Sequence, residues 1–115
     1  MAEKLNESAL RHARSLIGDG KVVLGERDGW GREAPTAEEE NTFIEKHGWA
    51  EYANWHLGVD DTASEETKGR FSFPYGDFTK VYRGAVITIE SRAAQYDHDD
   101  IAAAAKKLLE LIDGD

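Results

Sequence analysis

The feature that most constrains the fold is a pair of apolar stripes at helical spacing near the end of the chain. One runs from Val81 to Tyr96 and the other from Ile101 to Ile112, with apolar residues three or four positions apart. Such spacing places apolar side chains on one face of a helix. We therefore predict two helices that pack as a C-terminal antiparallel hairpin. Residues 85–90, AVITIE, also have the β-branched content of a strand, which remains the alternative there.

The segment DHDD, residues 97–100, lies between the two stripes and resembles either a metal site or the start of a helix. We predict the helix start. Asp97 would cap the second helix by accepting backbone N–H groups, and Asp99 and Asp100 would complement the helix dipole in the first turn. Gly114 is placed to end the same helix.

Two earlier helices are also predicted. The first spans residues 7–17, with Asn6 as the N-cap and Gly18 as the stop. The second begins at residue 35, where Thr36 forms a capping-box pattern with Glu39. Between them, residues 18–33 hold five glycines, which favours a loop with a short extended contact at residues 22–24.

Two aromatic segments occupy the middle of the chain. WAEYANWHLG, residues 49–58, predicts a helical patch on which Trp49, Tyr52, Ala53 and His56 share one face. FSFPYGDF, residues 71–78, contains proline and glycine and predicts an ordered aromatic loop wedged against Trp49 and Trp55. Tryptophans in a small domain are typical of the core, and a partner-binding patch is the alternative.

Length and composition limit the fold and the location. With 115 residues the chain is long enough for one core, so we predict a single helical domain over residues 1–115. The fold class that the patterns favour is mainly α, a small bundle of four or five helices. The absence of cysteine and of a long apolar run favours a soluble cytoplasmic protein that does not engage a membrane.

Charge is unevenly distributed along this acidic chain. The net charge is −9, which disfavours bulk nucleic-acid binding. Residues 68–92, however, carry five basic and two acidic side chains, or +3, against 9 basic minus 21 acidic, or −12, elsewhere. Basic residues interleaved with aromatics can bind single-stranded nucleic acid or another anion, so this segment provides an alternative function.

No pattern in the sequence selects catalytic residues or a cofactor. The serines lack a nucleophile-elbow motif, and the glycine-rich stretch has neither phosphate-loop nor dinucleotide spacing. His47 and Glu51 are four residues apart, but two ligands do not make a metal site. We therefore predict no catalytic residue, no metal and no cofactor. An enzyme is the less favoured class, and a metal-assisted enzyme using His47, Glu51 or the acids of residues 97–100 is the second alternative.

Three segments carry a resemblance to a known group of proteins. They are W-x-x-Y-x-x-W-x-L-G at residues 49–58, F-x-Y-G-D-F at residues 73–78 and R-A-A-x-Y at residues 92–96. On these segments the chain resembles a family of small bacterial proteins of uncharacterised function. Residues 65–113 are also similar to a module found beside phage head-maturation proteins. The segment VITIES departs from the alanine-rich pattern, and the resemblance implies no catalytic residue or ligand.

We predict a non-enzymatic protein-interaction or accessory domain with an unidentified protein partner. The candidate binding surface combines the central aromatic residues with nearby arginines. Its members are Trp49, Tyr52, Trp55, Arg70, Phe73, Tyr75, Arg83 and Arg92.

Overall fold

The fold is a mixture of helices and strands. The computed structural model describes residues 3–25, 30 and 34–114. The strands within these ranges are β1 (Glu3–Leu5), β2 (Val22–Val23), β3 (His56–Asp60), β4 (Phe71–Pro74) and β5 (Val81–Tyr82). The helices are α1 (Glu7–Gly18), α2 (Ala37–His47), α3 (Trp49–Ala53), α4 (Arg83–Gln95) and α5 (Asp99–Asp113), with a 3-10 turn at Lys68–Arg70.

The prediction of a mainly α bundle is wrong. The described chain contains an antiparallel sheet in the order β1-β3-β4 and a parallel pair, β2 and β5. The physical reason lies in the segment after Ala53, where His56, Leu57 and Gly58 are all buried in succession. A run buried on both faces suits a central strand flanked by two others, so the helical spacing of Trp49, Tyr52 and His56 does not continue as a helix.

The FSFPYGDF segment is also not the loop that was predicted. Its first half is β4, which pairs with β3 in the register Gly58↔Ser72 and Val59↔Phe71. Pro74 is tolerated because β4 lies at the sheet edge, where one side of the strand makes no ladder hydrogen bonds. Phe73 has a φ of 59°, an uncommon left-handed conformation for a bulky residue that distorts the strand.

The four long helices follow the sequence patterns. Residues 85–90 are helical within α4, and the capping box of Thr36 and Glu39 is present at the start of α2. The C-terminal pair is antiparallel, since Arg83 at the beginning of α4 lies 2.9 Å from Asp113 at the end of α5. The short extended contact predicted at residues 22–24 is confirmed as β2, and residues 26–29 and 31–33 of the predicted glycine-rich loop lie outside the described residues.

The DHDD segment starts a helix, although not by the predicted capping. The N-cap of α5 is His98, and Asp97 takes a left-handed φ of 62° in the turn before it. Asp100 accepts a hydrogen bond from the backbone N–H of Leu5 at 2.8 Å. The cluster therefore joins the last helix to the first strand.

The core lies between the helices and the inner face of the three-stranded sheet. A Cβ built on Gly58 would lie 3.5 Å from Cδ1 of Ile101, so β3 packs closely on α5 at this point. The apolar stripes of α4 and α5 supply much of the core. Its fully buried residues include Ala9, Ala13, Leu57, Tyr75, Val81, Val86, Ala93, Ile101, Ala105 and Leu108.

Candidate functional site

A groove lies on the outer face of the three-stranded sheet. Lys4, Val59 and Phe71 are neighbours across β1, β3 and β4, and so form a row on one face of the sheet. Helix α3 lies beside this row, with the Trp49 ring stacked on Phe71 at 6.5 Å and an interplanar angle of 25°. The groove has a volume of about 610 Å³. Trp49 and Phe71 are both partly exposed, so they form an accessible aromatic pair.

The charged residues around the groove are only partly paired. Lys4 and Asp61 form an ion pair at 2.7 Å, and this hydrogen bond lowers the pKa of the Asp61 carboxyl. Arg70 donates to the carbonyl of Ala63 at 2.7 Å and lies 6.0 Å from the centre of the Phe71 ring. Glu65 and Glu66 also line the groove and form no ion pair with any residue that the structure describes.

A second cavity lies beneath the other side of β4. Its volume is about 380 Å³. Phe73 and Arg92, two predicted site residues, both line it, as does Trp30 from the earlier part of the chain. The lining consists of Trp30, Ser72, Phe73, Pro74, Ala85, Thr88, Ile89 and Arg92.

Three residues of the predicted binding surface are buried in the core. Tyr52, Trp55 and Tyr75 are 2%, 5% and 0% exposed, so none of them offers a surface for a partner. Trp55 stacks on Tyr75 at 5.4 Å, and Tyr75 donates its hydroxyl hydrogen to the carbonyl of Asn54 at 2.6 Å. These contacts explain why the aromatic segments face each other as predicted, although they do so inside the protein.

The basic residues of segment 68–92 do not gather on one surface. Lys68 pairs with Glu40 at 3.2 Å, and Arg83 forms two hydrogen bonds with Asp113 at 2.9 and 3.0 Å. Arg70 lies at the outer groove and Arg92 at the second cavity. These four basic residues thus have different surroundings, and the alternative of single-stranded nucleic-acid binding stays a prediction.

Two histidines, the buried His56 and the partly exposed His12, are held by hydrogen bonds that sequence reasoning did not identify. Burial lowers the pKa of His56, whose Nδ1 lies 2.9 Å from the carbonyl of Tyr52 and must donate to it. Burial also lowers the pKa of His12, whose Nδ1 lies 2.8 Å from the hydroxyl of Tyr75. Because that hydroxyl donates to Asn54, its oxygen accepts from His12. Both rings therefore stabilise the fold in the neutral form.

The candidate metal ligands are dispersed. His47 and Glu51 lie 3.4 Å apart, as an i,i+4 pair on the surface. Asp100 is engaged by Leu5, and Asp97 lies outside α5. Within residues 3–25, 30 and 34–114, no group of three or more His, Cys, Asp or Glu side chains is arranged to hold a metal ion.

Comparison with known proteins yields no relative. No protein-family model matches the chain, and neither a curated protein nor a solved structure matches it. The resemblance to small bacterial proteins therefore stays a prediction. In addition, none of the helices in the described ranges has the length and apolar character needed to cross a membrane.

The outer groove contains residues that the sequence alone did not single out. Lys4, Val59, Glu65 and Glu66 join it only because β1 and β4 pair with β3, and this pairing connects parts of the chain that are far apart in sequence. Trp49 and Arg70 were predicted and do lie there. Val59 and Phe71 lie on neighbouring strands. Only the register of β3 with β4 shows that their side chains point to the same face of the sheet.

Proposed function

We propose that this chain is a non-enzymatic interaction domain that binds a short segment of a partner protein in the outer groove. The observation that carries the proposal is the partly exposed Trp49–Phe71 pair on the open sheet face. Tryptophan, tyrosine and arginine are the residues most often responsible for binding energy at protein interfaces. Here a tryptophan and an arginine both lie close to one phenylalanine ring, that of Phe71.

The lining of the groove favours one apolar anchor on the partner. Trp49, Ala50, Ala53, Val59 and Phe71 give it an apolar floor, and alanine at two positions of α3 leaves room between the helix and the sheet. A volume of about 610 Å³ lies in the size range of pockets that hold a large side chain or a small ligand. An aliphatic or aromatic side chain would be desolvated between Trp49 and Val59.

The charges favour a basic residue beside that anchor. The groove contains Lys4 and Arg70 against Asp61, Glu65 and Glu66, which gives +2 − 3 = −1. Lys4 and Asp61 neutralise each other, which leaves Glu65 and Glu66 against Arg70 and keeps a net charge of −1 for a partner. The net charge of −9 adds a long-range attraction for basic segments.

Peptide selection tests this proposal. A random peptide library would be selected on the immobilised protein, and individual peptides would then be measured by isothermal titration calorimetry at two salt concentrations. We expect the selected peptides to share an apolar residue next to lysine or arginine. Binding should weaken about tenfold or more in Trp49→Ala, as is usual for a central aromatic contact, and the affinity should fall with added salt.

Two further variants separate loss of binding from loss of folding. Ala50→Arg places a bulky cation in the groove at an exposed helix position, so it should block basic peptides without disturbing the core. Tyr96→Ala removes an aromatic ring that is 62% exposed and remote from the groove, and it should bind as the natural protein does. Equal affinity in Ala50→Arg and the natural protein, or failure to enrich any peptide, would refute the proposal.

We also infer a cytoplasmic location. The support is compositional, because the chain contains no cysteine, which fits a reducing compartment. Fractionation of cells that express a tagged full chain would test it, and recovery in an exported or membrane fraction would contradict it.

A further inference from the structure

We propose that the second cavity, beneath β4, is a binding site for a small organic acid with an apolar body. This site is separate from the outer groove and does not depend on the function proposed for it. The cavity of about 380 Å³ lies near the lower end of the volumes typical of small-molecule pockets. Its size therefore favours a small ligand.

The walls provide an apolar enclosure. Trp30 and Phe73 contribute aromatic rings, and Ala85 and Ile89 contribute the side of α4. Ala85 is fully buried and Ile89 is 3% exposed, so the α4 wall is set by core packing. A cavity with rigid apolar walls and few polar groups matches the general pattern of small-ligand sites.

Arg92, the charged residue in the described lining of the cavity, favours an acidic ligand. Arg92 is exposed, and its guanidinium forms no hydrogen bond or ion pair with any residue in the described part of the chain. A guanidinium without other partners presents a planar set of donors that can form a bidentate pair of hydrogen bonds with a carboxylate. The charge on this protein repels anions in general, with a net charge of −9, so an acid that binds must find a local cation.

Ser72 also lines the cavity, but its Oγ is closed to solvent and lies against β3, where a Cβ on Gly58 would clash with it. The preference for an acid therefore rests on Arg92 alone.

The test uses two probes that share a body and differ in charge. The ¹H–¹⁵N correlation spectrum of the full chain would be titrated with 3-phenylpropionate and, separately, with 3-phenylpropan-1-ol. We expect saturable shifts of the amides of Phe73, Thr88 and Ile89, with tighter binding of the acid. Arg92→Gln should weaken binding of the acid by about fivefold, as for a partly solvated charge-assisted contact, and should leave the affinity for the alcohol unchanged.

A matched control uses an arginine elsewhere on the surface. Arg14 is exposed on α1, outside the cavity lining, and Arg14→Gln should retain the affinity for the acid. Both changes are at exposed positions and should leave the fold intact, which the same spectra will verify. Shifts that do not saturate, or equal affinity for the acid in Arg92→Gln and Arg14→Gln, would overturn the proposal.

Discussion

The carboxylate of Asp100 accepts a hydrogen bond from the backbone N–H of Leu5 at 2.8 Å, across 95 residues of sequence. The bond joins the first turn of α5 to the outer edge of β1. Asp100→Ala should lower the free energy of unfolding by about 1 kcal/mol, the usual value of one such bond. Asp99→Ala, in the same helix turn, serves as the control in urea unfolding. Equal losses in the two variants would show that the Leu5 contact contributes nothing of its own.

The hydroxyl of Tyr75 joins His12 to the carbonyl of Asn54. Tyr75→Phe keeps the ring stacked on Trp55 but removes the hydroxyl from two partly buried groups that it bonds, His12 Nδ1 and the Asn54 carbonyl. We expect a loss of about 1–3 kcal/mol in the free energy of unfolding, measured by chemical denaturation. Tyr96→Phe, at a ring that is 62% exposed, should have almost no effect. A comparably small change in Tyr75→Phe would contradict this description.

Stability should depend on pH through His56. Burial lowers the pKa of this histidine from its ordinary value of 6.5, so the unfolded chain takes up a proton at a higher pH than the folded one. The stability that neutral His56 contributes is therefore fully present above about pH 7 and is lost as the pH falls below 6.5 toward the pKa of His56 in the folded protein. Urea midpoints measured between pH 7.5 and 5.5 should decline, and His56→Gln should decline less steeply. His12 contributes in the same direction, so part of the slope will remain.

Gly76 lies where the chain cannot hold a larger residue. A Cβ at this position would clash with the carbonyl of Lys80 and lie 2.6 Å from Cζ3 of Trp55. Gly76→Ala should destabilise the protein by about 1–3 kcal/mol through overpacking. Gly18→Ala is the matched control, since nothing lies within 4 Å of its Cβ position. Thermal unfolding that is identical in the two variants would be inconsistent with this packing.

Two leucines on α5 differ in exposure and so distinguish the core face of the helix from its solvent face. Leu108 is fully buried and Leu111 is 45% exposed. Leu108→Ala should lower the free energy of unfolding by about 2–5 kcal/mol, because it removes contacts and leaves a cavity. Leu111→Ala should cost well under half as much. Denaturation midpoints of the two variants, compared directly, decide whether α5 faces the core as described.

The helices were predictable because their signals are local. The stripes of α4 and α5 and the capping box of Thr36 each specify structure within a few neighbouring residues. The strands were not predictable in the same way. Each spans two to five residues, and β3 begins within a run whose aromatic spacing also fits a helix. The pairing of β1 with β3 joins residues more than fifty positions apart.

The candidate site was partly predictable for the same reason. Trp49 was identified because it is aromatic and Arg70 because it is basic. Residue type alone does not show whether a side chain lies at the surface or in the core. Trp55 and Tyr75 carry the same signal but turn inward, where their rings stack on each other in the core. The groove itself depends on the sheet register, which no short motif in this chain encodes.

The distorted end of β4 has a consequence for how molecules of this protein behave at high concentration. Fibril growth requires a straight strand whose outward amides meet those of the next chain at regular intervals. The left-handed Phe73 and the missing amide hydrogen of Pro74 interrupt that ladder on one side of the sheet, and the Asp100 carboxylate occupies an amide on the other. The folded domain is therefore a poor template for amyloid-like polymerisation.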